Sequence, residues 1–274
     1  ATDDKMDVSG WVTLTNTGGA TYSRAKLQLV AGDVNRVAPQ FQRSAQVMMA
    51  PAPAPAAKAD MAQESLFEYH LYTLGRPTTL AENQTKQVLL LTGSGVPVRK
   101  ELLFKGNDYY YQSSVGSIGQ KMKVGVFVEF DNKESGQLGI PLPKGIVRVY
   151  KKDTAGNAQF VGEDSVDHTP KNETVRLKLG EAFDVTADKK QTDFKKLAGS
   201  GRFNYVFESA YEIVLKNAEK EAVMVTLQEP MPGDWQILSQ SLAHTKGASN
   251  TAVWKVSVPA EGSSTLTYRA LVRF

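Results

Sequence analysis

Glu163, Asp164, Asp167 and His168 fall within six residues and form the chain's one acidic cluster that contains a histidine. Carboxylates beside an imidazole can bind a divalent cation or serve as a general acid and base. Their spacing matches no recognised ligand pattern, and a β-turn with side-chain capping uses the same residue types. His70 and His244 are distant in sequence and sit in no motif, so the three histidines do not point to zinc catalysis. For serine chemistry, Gly93-Ser94-Gly95 and Ser113-Ser114 read as turns, and no Gly-x-Ser-x-Gly precedes a helix. The sequons at Asn83-Gln84-Thr85 and Asn172-Glu173-Thr174 are short enough to arise by chance. The expectation is a non-enzymatic protein with no catalytic, cofactor-binding or metal-binding residues and no cofactor.

Binding chemistry centres on Tyr109, Tyr110 and Tyr111, which follow Asn107 and Asp108 and precede Gln112. Neighbouring strand residues point to opposite faces, so three consecutive rings cannot all enter one core. At least one ring is expected to be exposed, where it could stack on a sugar, anchor an interface or fill a domain junction. Lys189, Lys190, Lys195 and Lys196 are interleaved with Asp188 and Asp193, so their fields largely cancel. They are expected on a solvated strand edge, and no nucleic-acid partner is expected.

The 274 residues suggest roughly two domains, and the 32 basic and 29 acidic residues nearly balance at a net charge of +3. Hydrophobic residues make up 41 % of the chain, with 11 Phe, 10 Tyr and 3 Trp, enough to build cores. The absence of cysteine excludes disulfides, thiolate catalysis and cysteine metal sites, but not export, because core burial alone can hold a β-domain of this size. No apolar run approaches the roughly 20 residues of a membrane helix. No signal peptide is present, so a processed form or a fragment is expected.

The strand period runs from one end of the sequence to the other. Trp11, Thr13 and Thr15 alternate with Val12, Leu14 and Asn16, and Asn16-Thr17-Gly18-Gly19 ends the segment. Further strands are expected over 26–30, 66–74, 87–92, 96–104, 121–130 and 202–216. In the last strand Leu266, Tyr268, Ala270, Val272 and Phe274 share one face. Ile146 to Tyr150, a turn over Asp153 to Asn157, and Phe160 read as a hairpin, with Phe160 against the Val147 or Val149 face. Trp11, Trp235 and Trp254 sit in strand patterns and are expected in the core. Ala50-Pro51-Ala52-Pro53-Ala54-Pro55-Ala56-Ala57 breaks the series, since alternating proline favours polyproline II and cannot join a sheet. It is expected to protrude as an insertion over 38–64, with Met48, Met49 and Met61 as a weak anchor or a partner-docking arm.

Several segments together resemble a known family. They are Trp11 to Asn16, Ala25 to Gly32, Leu138-Gly139-Ile140-Pro141-Leu142-Pro143-Lys144-Gly145-Ile146-Val147-Arg148-Val149-Tyr150, Gln159 to Asp164, His168-Thr169-Pro170, and Leu179 to Asp184. In this order they are similar to the bacterial domain-of-unknown-function family 4139, over nearly the whole chain. The resemblance implies an exported Gram-negative protein of β-sandwich structure with further sequence before Ala1, and it supplies no catalytic residues.

The fold expected is all-β, a tandem of immunoglobulin-like or fibronectin-like antiparallel sandwiches over 1–118, 119–188 and 189–274. The function expected is a scaffold or adaptor of the cell envelope, periplasmic, outer-membrane-associated or extracellular, partnered by another envelope protein. The alternatives are a carbohydrate-binding module working through Tyr109 to Tyr111, and a hydrolase using Asp164, Asp167 and His168.

Overall fold

The computed structural model describes residues 4–32, 61–136, 138–199 and 201–274. The Pro-Ala segment, with Met48 and Met49, lies outside the described residues. The chain is all-β: seventeen strands and two short 3-10 turns, with no α-helix among the described residues. It divides into two compact units, each drawn from three separate stretches of sequence. Unit 1 takes 1–99, 129–147 and 165–176, and unit 2 takes 100–128, 148–164 and 177–274. Residues 118 and 188 fall inside strands β8 (Ser117–Asp131) and β11 (Thr174–Leu197).

Unit 1 opens with β1 (Lys5–Thr15), β2 (Tyr22–Ala25), β3 (Gln28–Ala31), β4 (Met61–Leu66), β5 (Tyr69–Leu74) and β6 (Thr78–Leu80). β1 pairs antiparallel with the first part of β7 (Thr85–Lys105), β3-β5-β4 form a small sheet, and β2 pairs with β6. Gly93-Ser94-Gly95 does not turn the chain. It lies inside β7, opposite a register shift in β1, where Gly95 N donates to Asp7 Oδ1 at 2.9 Å. Alternation along β1 sends Val8, Val12 and Leu14 inward, and so Trp11 faces out with Thr13 and is 41 % exposed. Its shared face with two threonines is the reason it is not the core residue expected. Tyr72, Leu90 and Leu91 form the centre, packed by Val8, Val12, Leu138 and Ile140. The Tyr72 hydroxyl donates to the Pro141 carbonyl at 2.6 Å, and burial pushes its pKa up to about 12.

The later strands are β9 (Gly145–Lys152), β10 (Ala158–Val166), β12 (Val206–Asn217), β13 (Val223–Pro230), β14 (Asp234–Gln240), β15 (Thr245–Ala248), β16 (Thr251–Val258) and β17 (Gly262–Arg273). Hydrogen bonds link the order β14-β17-β12-β11-β8-β7-β13-β16-β15, and β13 runs parallel to β7 from Val225↔Leu102 to Gln228↔Lys105. Within unit 2 the path folds back on itself, so that Trp254 of β16 stacks on Tyr268 of β17 at 4.9 Å. Between them lie Ile213, Leu215, Val225, Leu227, Leu266 and Val272, all essentially solvent-free.

Three buried asparagines close strand ends in the same manner. Asn16 Nδ2 donates to the carbonyls of Ala20, Leu80 and Ala81, while its Oδ1 accepts from Gly18 N. Asn217 donates to Glu221 and Pro259 and accepts from Glu219 N; Asn132 donates to Ile140 and Pro170 and accepts from Gly139 N. Each plug satisfies turn carbonyls that would otherwise be left without a partner.

Candidate functional site

The inward positions of β11 in unit 2 are Val185, Ala187, Lys189 and Gln191, spaced by the strand period. Lys189 is therefore not on the solvated edge expected for it; Lys190, Lys195 and Lys196 are exposed, whereas Lys189 points into the core. Its ammonium meets both carboxylate oxygens of Glu229 from β13, at 2.7 and 2.6 Å, and both side chains are 0 % exposed. Tyr111 Oη donates to Glu229 Oε2 at 3.3 Å and shares a 2.8 Å hydrogen bond with Tyr268 Oη. The rings of Tyr110 and Tyr211 lie 4.9 and 5.2 Å from the ammonium, in cation-π range. The Glu229 carboxylate fills the space where a side chain at Gly106 would begin. Burial, then the Glu229 charge, holds the Tyr111 and Tyr268 hydroxyls protonated well above the ordinary phenol range. Burial likewise pushes Tyr211 up to about 12. Matched donors and acceptors sealed from water make this a structural cluster that fixes the core. The strand alternation Val185, Ala187, Lys189 was the signal that could have located it.

The tyrosine run is not in a strand. Asp108–Tyr111 forms a single 3-10 turn that places Tyr109 57 % exposed and buries Tyr110 and Tyr111. Asn107 Nδ2 donates to Tyr110 Oη at 3.2 Å, and Tyr109 packs edge-on against Tyr110 at 4.4 Å. Gln191 Nε2 donates to the Tyr110 and Ser113 carbonyls at 3.2 and 3.0 Å, while Tyr211 Oη donates to the Tyr110 carbonyl at 2.6 Å. Of the expected ligand residues Asn107, Asp108, Tyr109, Tyr110 and Tyr111, only Tyr109 presents a ring to solvent.

The acidic residues take separate structural tasks. Arg148 Nε bonds Glu163 at 2.9 Å, and Asp164 Oδ2 accepts from Lys178 N at 2.8 Å. Asp167 Oδ1 accepts from His168 N at 2.9 Å, and His168 Nδ1 accepts from Lys144 N at 3.2 Å. Among the described residues no group of three such side chains could hold a metal ion. Trp235 and Trp254 are buried as expected, with the His244 ring 5.8 and 5.7 Å from them. A shallow cleft of about 470 Å³ in unit 2 is lined by Glu212, Ser239, Gln240, Thr267 and Arg269. Its charges are already engaged, Glu212 by Lys190 at 2.7 Å and Arg269 by Asp193 at 2.8 Å.

The surface feature that stands out lies on the β9–β10 ribbon, in the part belonging to unit 2. Asp153 organises its turn: Oδ1 accepts from Ala155 N and Asn157 N at 3.0 and 2.9 Å, and Gly156 takes φ 87°. Phe160 packs on Tyr150, ring centres 5.7 Å apart, and not on the Val149 face expected for it, because Tyr150 and Val149 point to opposite sides. Tyr150 is 46 %, Phe160 56 % and Val161 41 % exposed, and Phe183 on β11 is 90 % exposed. β11 and the ribbon meet where Gly162 approaches the Leu179 carbonyl, too closely for any side chain at 162. Arg148, Lys152 and Glu163 on the same two strands are also exposed, Arg148 and Glu163 paired with each other.

Comparison with family models, with curated proteins and with solved structures finds no match for this chain.

Proposed function

We propose that this chain is a non-enzymatic adaptor of the Gram-negative cell envelope that docks another envelope protein on the β9–β10 ribbon. The observation that carries the reading is the exposed ring pair Tyr150 and Phe160 on one face of the ribbon, with Phe183, 90 % exposed, on the strand that the ribbon meets. Aromatic rings inside a polar rim are the composition of interface centres, and exposing them in water costs free energy that contact with a partner recovers. The envelope setting, the tandem immunoglobulin-like architecture and membership of family 4139 rest on the sequence resemblance.

Site-specific photo-cross-linking in cells tests the reading. A cross-linking residue at Phe183 is expected to yield one discrete adduct with a second envelope protein. The same residue at Met224, which is 53 % exposed on β13, is expected to yield none. Tyr150→Ser/Phe160→Ser should abolish the Phe183 adduct. Equal adducts at both positions, or none at either, would overturn the proposal. An adduct of twice the chain mass would replace it with self-association.

A further inference from the structure

The inward face of β12 does not end with the core of unit 2. Its positions Leu215, Ile213, Tyr211 and Ser209 continue to Phe207, and then to Tyr205 just before the strand. Across the register Phe194 of β11 faces Ser209 and Lys196 faces Phe207. Directly opposed residues of antiparallel strands share a face, so Phe194, Lys196, Phe207 and Tyr205 lie on one side of the sheet. Their rings form a row: Phe194 to Phe207 at 5.8 Å and 25°, then Phe207 to Tyr205 at 6.5 Å and 8°. Phe274 closes it edge-on at 6.2 Å.

Exposure grows along the row, from half-buried Phe194 and Phe207 to Tyr205 at 53 %. The Lys196 ammonium sits 5.7 Å over the Tyr205 ring, and the Arg202 guanidinium 4.9 Å over Phe203. The acids flanking Lys196 across the two strands do not neutralise it. Asp193 and Glu208 occupy the opposite face, where Arg269 and Lys195 hold them.

We propose that this row binds an acidic polysaccharide, its sugar rings lying on the aromatic row and a carboxylate reaching Lys196. Sugars present a C–H face that packs on aromatic rings and a hydroxylated edge that stays in water, matching a half-exposed row. Near-parallel rings at regular intervals suit a ligand that repeats, and the cation over Tyr205 selects an anionic one. A single-stranded nucleic acid would need cations tracking every phosphate, and among the described residues the cation seated over the row is Lys196 alone. The surface is distinct from the ribbon: Phe183 and Phe194 are eleven residues apart on β11, roughly 35 Å of extended strand. It therefore stands or falls independently of the adaptor reading.

The test is affinity electrophoresis of the full chain through gels containing polygalacturonate or the neutral glucan dextran, with anisotropy against a fluorescent oligothymidylate. Retardation is expected in polygalacturonate and not in dextran. Tyr205→Ala should weaken it about tenfold, the scale of one lost stacking contact. Lys196→Gln should weaken it and flatten its salt dependence, and Phe160→Ser should leave it unchanged. Tyr205 is largely in solvent, so an unchanged thermal midpoint confirms that its variant is folded. The proposal is overturned by free migration in polygalacturonate, by retardation that Tyr205→Ala leaves intact, or by tighter binding to oligothymidylate.

Discussion

At the centre of unit 2 a lysine and a glutamate are sealed from water, while on its β9–β10 ribbon a tyrosine and a phenylalanine stand in it. Both regions invert the usual placement of their residue types, and they do so for different reasons. Lys189 and Glu229 have every neighbour they need: each other, Tyr111, and the rings of Tyr110 and Tyr211. Among the described residues Tyr150 and Phe160 have only one another as ring partners. A buried charge that is fully paired explains itself through the fold, whereas an exposed ring cluster calls for something outside the chain.

The sharpest way to break this contrast is to unpair the buried charge. Glu229→Ala leaves the Lys189 ammonium buried without its carboxylate and is expected to cost about 3–5 kcal/mol in urea unfolding. Lys189→Met/Glu229→Leu should cost less than either single change, because two apolar side chains avoid the desolvation that an unpaired ion suffers. A double variant as damaging as the sum would mean that the pair does more than fill and fix the core.

Alkaline pH gives the next effect. Tyr72 and Tyr211 have pKa values raised to about 12 in the folded chain, against 10.0 for the unperturbed phenol. Between these values the unfolded state releases protons that the folded state keeps, so the folded state loses ground as pH rises. The stability in question is fully present below pH 10, on the order of 2 kcal/mol per tyrosine, and is lost as pH passes through 12. Tyrosinate absorbance should show Tyr72 and Tyr211 titrating only near pH 12, with Tyr111 and Tyr268 protonated well above the ordinary phenol range, and four ordinary titrations near pH 10 would contradict it.

Smaller effects sharpen the same comparison. Gly106→Ala pushes a methyl group against the Glu229 carboxylate and is expected to cost about 1–3 kcal/mol, read as a lower urea midpoint. Asn217→Ala frees the Glu221 and Pro259 carbonyls from their plug and should cost about 1–2 kcal/mol. Phe160→Ser on the ribbon should change stability by less than about 0.5 kcal/mol, since its ring is 56 % exposed.

The all-β class was legible because period-two alternation survives in nearly every strand, as Leu266, Tyr268, Ala270 and Val272 show. The buried pair was not, because a charge run reads as solvated until the alternation around Lys189 is given more weight than its charge. The tyrosine run was half legible: one ring had to face solvent, but a 3-10 turn in place of a strand decided that it is Tyr109. The composition of the two units was out of reach, since β7, β8 and β11 each contribute residues to both, and no linker marks the passage. The ribbon's hairpin was visible from Asp153 to Asn157, whereas its exposed face depended on pairing Phe160 with Tyr150, a one-residue difference in register.

Covalent footprinting with a photoactivated carbene tests the central claim most directly, comparing the purified chain with the chain in native envelope extract. Phe160, Phe183 and the reference Met224 should all label in the purified chain, being 56, 90 and 53 % exposed. In the extract the account predicts that labelling of Phe160 and Phe183 falls several-fold while Met224 is unchanged. Equal labelling of all three in both preparations would show that the ribbon meets only water, and would contradict the account.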